Sequence, residues 1–230
     1  MSEAQLPVEH FPALSATPGL VHGFTLRVPG LAMSHDKAEA LARLDGVHRE
    51  IRRDHGLGAT PFLTAQQVHG KEIAAITSPI AENKCFEGRD GIVTNQPGVS
   101  LGIYVADCCA VYVVDPIRGA IGLVHSGKKG TELGIVTKAI EKMAAEFGSQ
   151  PSDLIAQLSP CIRPPHYEID FAVEIIRQCR EAGVTAVHDC GICTACDLER
   201  YYSYRAEKGR TGRMLAFLAF GYSSLSNPER

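Results

Sequence analysis

The sequence predicts a mixed β-sheet core with flanking helices, forming a single domain over residues 1–230. Three observations predict it. Short apolar runs recur at Leu101–Val105, Ala110–Val114, Ala120–Val124 and Met214–Phe220, each of strand length and bounded by turn residues. Other segments carry apolar residues at helical spacing and end on glycine. The chain has 230 residues, 45% of them hydrophobic, and no linker or low-complexity tract divides it, so one core can be buried.

In chain order, Ser34–His55 reads as the first helix, capped by Ser34, with Ala38, Leu41, Ala42, Val47 and Ile51 near one face and Gly56 after its end. Leu101–Val105 and Ala110–Val114 flank Ala106-Asp107-Cys108, which puts Cys108 at a strand junction. Ala120–Val124 ends at His125, and Ser126-Gly127-Lys128-Lys129-Gly130 reads as a turn. Val136, Ala139, Ile140, Met143, Ala144 and Phe147 form a helical stripe stopped by Gly148. A capped helix is expected from Asp170 to about Ala182, with Gly183 as its stop, and Met214–Phe220 closes the set as a late strand.

Composition narrows the function classes. A net charge of -3 without any Lys/Arg-rich run gives no footprint for nucleic acid or an anionic membrane surface, so a small-molecule partner is expected. No apolar stretch reaches the length of a membrane span, and Met1–Pro7 lacks the layout of a signal peptide; the expected location is the cytoplasm. The eight cysteines include the adjacent pair Cys108-Cys109, which suits reduced thiols used for metal binding or catalysis better than a disulfide framework.

Three residues at element ends stand out. His69 sits beside a flexible glycine in Gln67-Val68-His69-Gly70, Cys108 follows a carboxylate between two apolar runs, and His125 ends a strand. A lone histidine is more often a surface or hydrogen-bonded residue, and a lone cysteine a small core hydrophobe. Asp107 weakens the bland reading, because a carboxylate between apolar runs must be exposed, paired or employed. Two imidazoles and a thiolate suit zinc with one position open for chemistry; copper also accepts such donors.

Gln67-Val68-His69-Gly70, Ala106-Asp107-Cys108, His125-Ser126-Gly127-Lys128-Lys129-Gly130, Ser159-Pro160-Cys161-Ile162, Tyr202-Ser203-Tyr204-Arg205 and Thr211-Gly212-Arg213 occur in that order. In these motifs, and from His22-Gly23-Phe24 to the last strand, the chain resembles the laccase-domain purine nucleoside phosphorylase family, formerly called multicopper polyphenol oxidases. The resemblance implies an α+β fold, a layered mixed β-sheet core with flanking outer helices, and a zinc held by His69, Cys108 and His125. It also implies phosphorolysis of purine nucleosides such as adenosine, inosine and methylthioadenosine, with added adenosine deaminase activity. The chain departs from the family's HAGWRG at Lys128 and Lys129, where tryptophan and arginine are usual, so a two-pronged anion contact becomes a point charge.

On this reading Asp107, Asp90 and Cys108 are the candidate catalytic residues, the carboxylates moving protons. Arg27, Gln67, Lys129 and Arg205 are candidate substrate contacts, the cations facing the phosphate. Arg89-Asp90-Gly91 also reads as a plain turn. Cys190, Cys193 and Cys196 have the C-x-x-C spacing of a second metal site, without a fourth ligand at a standard spacing. Two other functions stay open: a thiol hydrolase or amidase with Cys108 and His125 as nucleophile and base, acting on a cell-wall precursor, and copper-dependent polyphenol oxidation as a side activity. A homodimer is compatible with the sequence.

Overall fold

The computed structural model describes residues 8–221, so the Met1–Pro7 opening read above lies outside the described residues. The strands in chain order are β1 (Val8–Glu9), β2 (Leu20–Thr25), β3 (Phe62–Ala65), β4 (Ile73–Ile76), β5 (Lys84–Phe86), β6 (Gly91–Thr94), β7 (Ser100–Val105), β8 (Cys109–Asp115), β9 (Ala120–Ser126), β10 (Ile155–Leu158), β11 (Ala186–Asp189) and β12 (Met214–Phe220). They form two six-stranded sheets, ordered β1-β2-β12-β7-β3-β5 and β11-β10-β8-β9-β6-β4. Both sheets are mixed. In the first, β3 runs parallel to β5 and β7; in the second, β4 runs parallel to β6 and β10 to β11, and the remaining pairs are antiparallel.

The sheets pack face to face. Leu63, Leu101, Ile103, Met214 and Leu218 of the first meet Ile92, Tyr112, Val114, Ile121 and Leu123 of the second in one buried cluster. Tyr112, fully buried, spans the gap and donates its hydroxyl to the Gly23 carbonyl at 2.8 Å, which satisfies the one polar atom of a large apolar side chain. The outer face of the second sheet is covered by two helices, Ile135–Phe147 and Phe171–Glu181. The first long helix, Lys37–Asp54, which follows the single turn Pro12–Ser15, covers with its following loop the outer face of the first sheet through Ile51 and Leu57 against Phe62, Leu215 and Phe217. The order is helix, sheet, sheet, helices, which is the layered α+β arrangement with outer helices that the resemblance implies. Because β8 and β9 are covered on both faces, every residue in them is buried and their sequences run apolar without alternation.

Two details differ from expectation. The first helix begins at Lys37 and its cap is Asp36, whose carboxylate accepts from the Glu39 amide at 2.8 Å; Ser34 lies outside and binds the Glu39 carboxylate. Its inward stripe is Ala40, Leu44, His48 and Ile51, whereas Ala38 and Ala42 are exposed. A histidine occupies the core stripe, and burial pushes His48 down to about 4, so it packs as a neutral ring. The second difference is at Ser126-Gly127-Lys128-Lys129-Gly130, where the expected turn is replaced by a short helix, Lys128–Glu132, entered through Gly127. Among the described residues no helix is long and apolar enough to cross a membrane.

Candidate metal centre

The site stands where the chain passes from one sheet to the other. The loop from β3 to β4 delivers His69, the loop from β7 to β8 delivers Cys108, and β9 delivers His125. One ligand atom from each of these side chains lies within 4.8 Å of the others, with the two imidazoles edge to face at 4.9 Å between centroids. Both loops bend through the left-handed region, at φ 61° for His69, 64° for Gln67 and 82° for Asp107. Non-glycine residues enter that region at an energetic cost, so the surroundings must hold them there.

Gln67 and Asp90 do the holding. The Gln67 side-chain amide donates to the Tyr104 carbonyl at 2.6 Å and accepts from the Tyr104 amide at 3.0 Å, so a side chain completes a strand-like pair with β7. Asp90, fully buried, accepts from the backbone amides of His69 (2.8 Å), Gly70 (2.7 Å) and Val68 (3.2 Å), and from His125 Nδ1 at 2.9 Å. An ionised carboxylate only accepts, so Nδ1 carries the proton and Nε2 is left as the free donor toward the site. Burial raises Asp90, and the His125 hydrogen bond with the loop amides overcomes that to hold it below the usual carboxylate value.

Close approach also shapes the sulfur's seat. A Cβ at Gly127 would lie 2.5 Å from Cys108 Sγ, so only glycine leaves room for the thiol between the loop and β9. Burial pushes the Cys108 thiol up, yet the His125 and His69 imidazoles more than reverse this and bring it to about 6. Burial lowers His125, and the Cys108 and Asp90 charges raise it instead to about 9. By themselves these side chains therefore favour a thiolate beside an imidazolium; a cation in the same place takes over the proton's role. Two neutral imidazoles and a thiolate form a donor set that fits zinc.

A cavity of about 640 Å³ opens onto the three ligands. Asp107, Gln67 and Arg205 of the expected site residues line it. Asp107 accepts from Thr194 Oγ1 at 2.8 Å and from the Arg205 amide at 2.7 Å. The other three expected residues stand elsewhere. Asp90 lies behind the ligands. Arg27 pairs with Glu207 at 2.7 Å and stacks over Tyr202, bracing the segment behind the cavity wall. Lys129 is exposed on the short helix and does not reach the cavity; Lys128 does.

Several lining residues escaped the sequence reading: Lys37, Tyr104, Tyr167, Phe171 and Lys208. Lys37 opens a helix as any solvated lysine would, and Phe171 reads as helix core, so neither carries a local signal. Arg213 was visible only as part of a motif; its guanidinium lies 5.7 Å from the Tyr204 ring centre, and that of Arg205 4.8 Å from the Tyr167 ring centre. Much of the remaining cavity lining is thus cationic and aromatic. Cys190, Cys193 and Cys196 do not join a metal-binding group: among the described residues, His69, Cys108 and His125 form the one cluster of His, Cys and acidic side chains close enough to hold an ion.

The chain is similar to known proteins of one family. The model of the family described as multi-copper polyphenol oxidoreductase laccase matches residues 29–175 and 169–221. A purine nucleoside phosphorylase of Deinococcus radiodurans is 29% identical, over 95% of this chain and 94% of its own. One from Corynebacterium glutamicum is 30% identical, covering 69% of this chain and 74% of its own. Among solved structures, YlmD from Geobacillus stearothermophilus superposes with a TM-score of 0.78 at 24% identity, covering 92% of this chain and 94% of that one, a likeness of fold.

Proposed function

We propose that this chain, which belongs to the multi-copper polyphenol oxidoreductase laccase family, is a zinc-dependent purine nucleoside phosphorylase of the cytoplasm. Its substrates are adenosine, inosine and methylthioadenosine, with adenosine deamination as a second activity. The observation that carries the proposal is the cluster of His69, Cys108 and His125 in a cavity whose lining is otherwise rich in cationic and aromatic side chains. The relatives named as purine nucleoside phosphorylases support it.

Zinc held by the three ligands would supply Lewis acidity next to an open coordination position. The chain's own residues do the rest. Arg205, Lys128 and Arg213 hold an anionic phosphate against the sugar, replacing water around a multiply charged nucleophile. The faces of Tyr204, Tyr167 and Phe171 take the flat purine. Asp107 is the carboxylate that opens onto the cavity, so its Oδ2 moves the proton to the leaving base in phosphorolysis and to the leaving amine in deamination. Asp90 positions His125 and touches no substrate.

The lowered Cys108 thiol beside a raised His125 supports a second reading, a thiol hydrolase or amidase with the thiolate as nucleophile. A sulfur cannot be a tight ligand and a free nucleophile at once, so the two readings separate cleanly. Purified chain is incubated with each of the three nucleosides, with and without phosphate, and free base, ribose 1-phosphate and ammonia are measured. Phosphate-dependent release of base supports the phosphorylase; inertness toward all three nucleosides in zinc-loaded protein sinks it.

A further inference from the structure

Behind the Asp107 wall, the segment Cys190–Cys196 has no part in the proposed reaction. Cys193 caps a single turn of 3-10 helix, Thr194–Cys196, and the Cys196 amide donates to the Cys193 carbonyl at 3.2 Å. At three residues per turn, positions three apart stand on one side of the helix. The Cys193 side chain accordingly pushes the Cys196 thiol up, and the Cys193 thiol also donates to the Arg163 carbonyl at 3.8 Å. Cys196 is exposed and Cys193 half-buried, so a small reagent can reach the pair, whereas Cys109 and Cys161 are fully buried.

The residue between the two cysteines is tied to the cavity. The Thr194 hydroxyl donates to Asp107 Oδ1 at 2.8 Å, and the Thr194 amide donates to the Cys161 carbonyl at 3.2 Å. The Ile162 amide, next along, donates to the Asp107 carbonyl at 2.8 Å. Asp107, in its left-handed conformation, directly precedes Cys108. Any stiffening of the Cys193–Cys196 turn is therefore felt one hydrogen bond away, at the residue that sets the Cys108 loop.

We propose that Cys193 and Cys196 are a reversible dithiol–disulfide site, and that closing the disulfide immobilises the Thr194–Asp107 link and with it the Cys108 loop. The oxidant is a low-molecular-weight disulfide. The Cys196 thiolate attacks one of its sulfurs, forming a mixed disulfide and releasing one small thiol; the Cys193 thiolate then displaces the second small thiol and closes the S–S bond. The two cysteines lose two electrons and two protons, and the small disulfide is reduced to two thiols. The inference stands independently of which substrate the cavity takes.

The test treats the full chain with oxidised glutathione, caps free thiols with iodoacetamide and weighs the tryptic peptide Glu181–Arg200, which holds Cys190, Cys193 and Cys196. The expected result is a peptide lighter by two hydrogens, with one capped cysteine in the native chain and none in Cys190→Ser, and no such loss of mass in Cys193→Ser or in Cys196→Ser. Three capped cysteines after oxidation, or a disulfide that survives Cys196→Ser, would overturn the site. In the same samples, capping of Cys108 should slow by about fivefold on oxidation, the low end of couplings between sites, and recover with dithiothreitol. An unchanged Cys108 rate in a chain with the disulfide formed would overturn the link to the loop.

Discussion

Asp90 and Asp107 flank the same cluster of ligands in opposite surroundings. Asp90 is wholly buried, and its oxygens are taken by three backbone amides and the His125 ring. Asp107 holds one threonine hydroxyl and the Arg205 amide and opens onto the cavity, whose lining also includes the exposed Tyr204, Arg205 and Lys208. The same side chain thus does two jobs. Where the carboxylate's capacity is saturated it fixes geometry; where some is left over it can exchange a proton. One wall holds ligands, and the other meets whatever enters.

The sharpest way to break this contrast is to remove ligands from the first wall. His69→Ala and Cys108→Ala should each reduce bound zinc from about one ion per chain to nearly none, read by elemental analysis, with activity lost in step. Full metal retention in both variants would refute the centre. Asp90→Ala leaves the His125 ring buried without its partner and should cost about 3–5 kcal/mol of stability, read from denaturant unfolding. Its acid dependence follows from sign. The folded Asp90 carboxyl sits below its ordinary value of 3.8, so the stability it contributes is fully present above that value and drains away as pH falls through the depressed one. Asp90→Asn should flatten that acid limb.

On the second wall, Asp107→Asn should keep its metal and lower kcat by about 10²–10⁴-fold, the usual worth of a positioned proton-transfer group. Metal loss in that variant would place Asp107 with Asp90 and erase the distinction. The smallest expected effect separates two neighbours. Lys128→Ala should raise the KM for phosphate by about fivefold, near the ~1 kcal/mol of an exposed charge contact, and Lys129→Ala should leave it unchanged. The reverse pattern would show that the short helix presents its other face to the anion.

Much of the frame is legible in the sequence because burial on both faces leaves a plain mark: β8, β9 and β12 are unbroken apolar runs, and Gly148 and Gly183 stop their helices at positive φ. The first helix misleads because His48 takes a core position that its polarity conceals, while Ala38 and Ala42 are apolar but exposed. His69, Cys108 and His125 are legible through ordered motifs rather than spacing, since they lie on separate loops and a strand. The rest of the cavity lining is the least legible part. Lys37, Tyr167 and Lys208 come from distant segments, and nothing local distinguishes a lysine that faces a substrate from one that faces water. Asp90 shows that a motif can point to a residue and still leave its task open: only the geometry reveals that its lone pairs are spent on the loop.

The crossovers between the sheets have a consequence for the life history of the molecule. His69 and Cys108 each sit on a segment that leaves one sheet and enters the other, and His125 belongs to the second sheet alone. Cys108 and His125 come together within the single β8–β9 hairpin, whereas His69 reaches them only from the crossing between β3 and β4. The hairpin can therefore assemble two donors by itself, and the third joins them when the two sheets have closed on one another. On the proposed function, completing the metal seat is thus a late event of folding, because its last donor is fixed only where the two sheets meet.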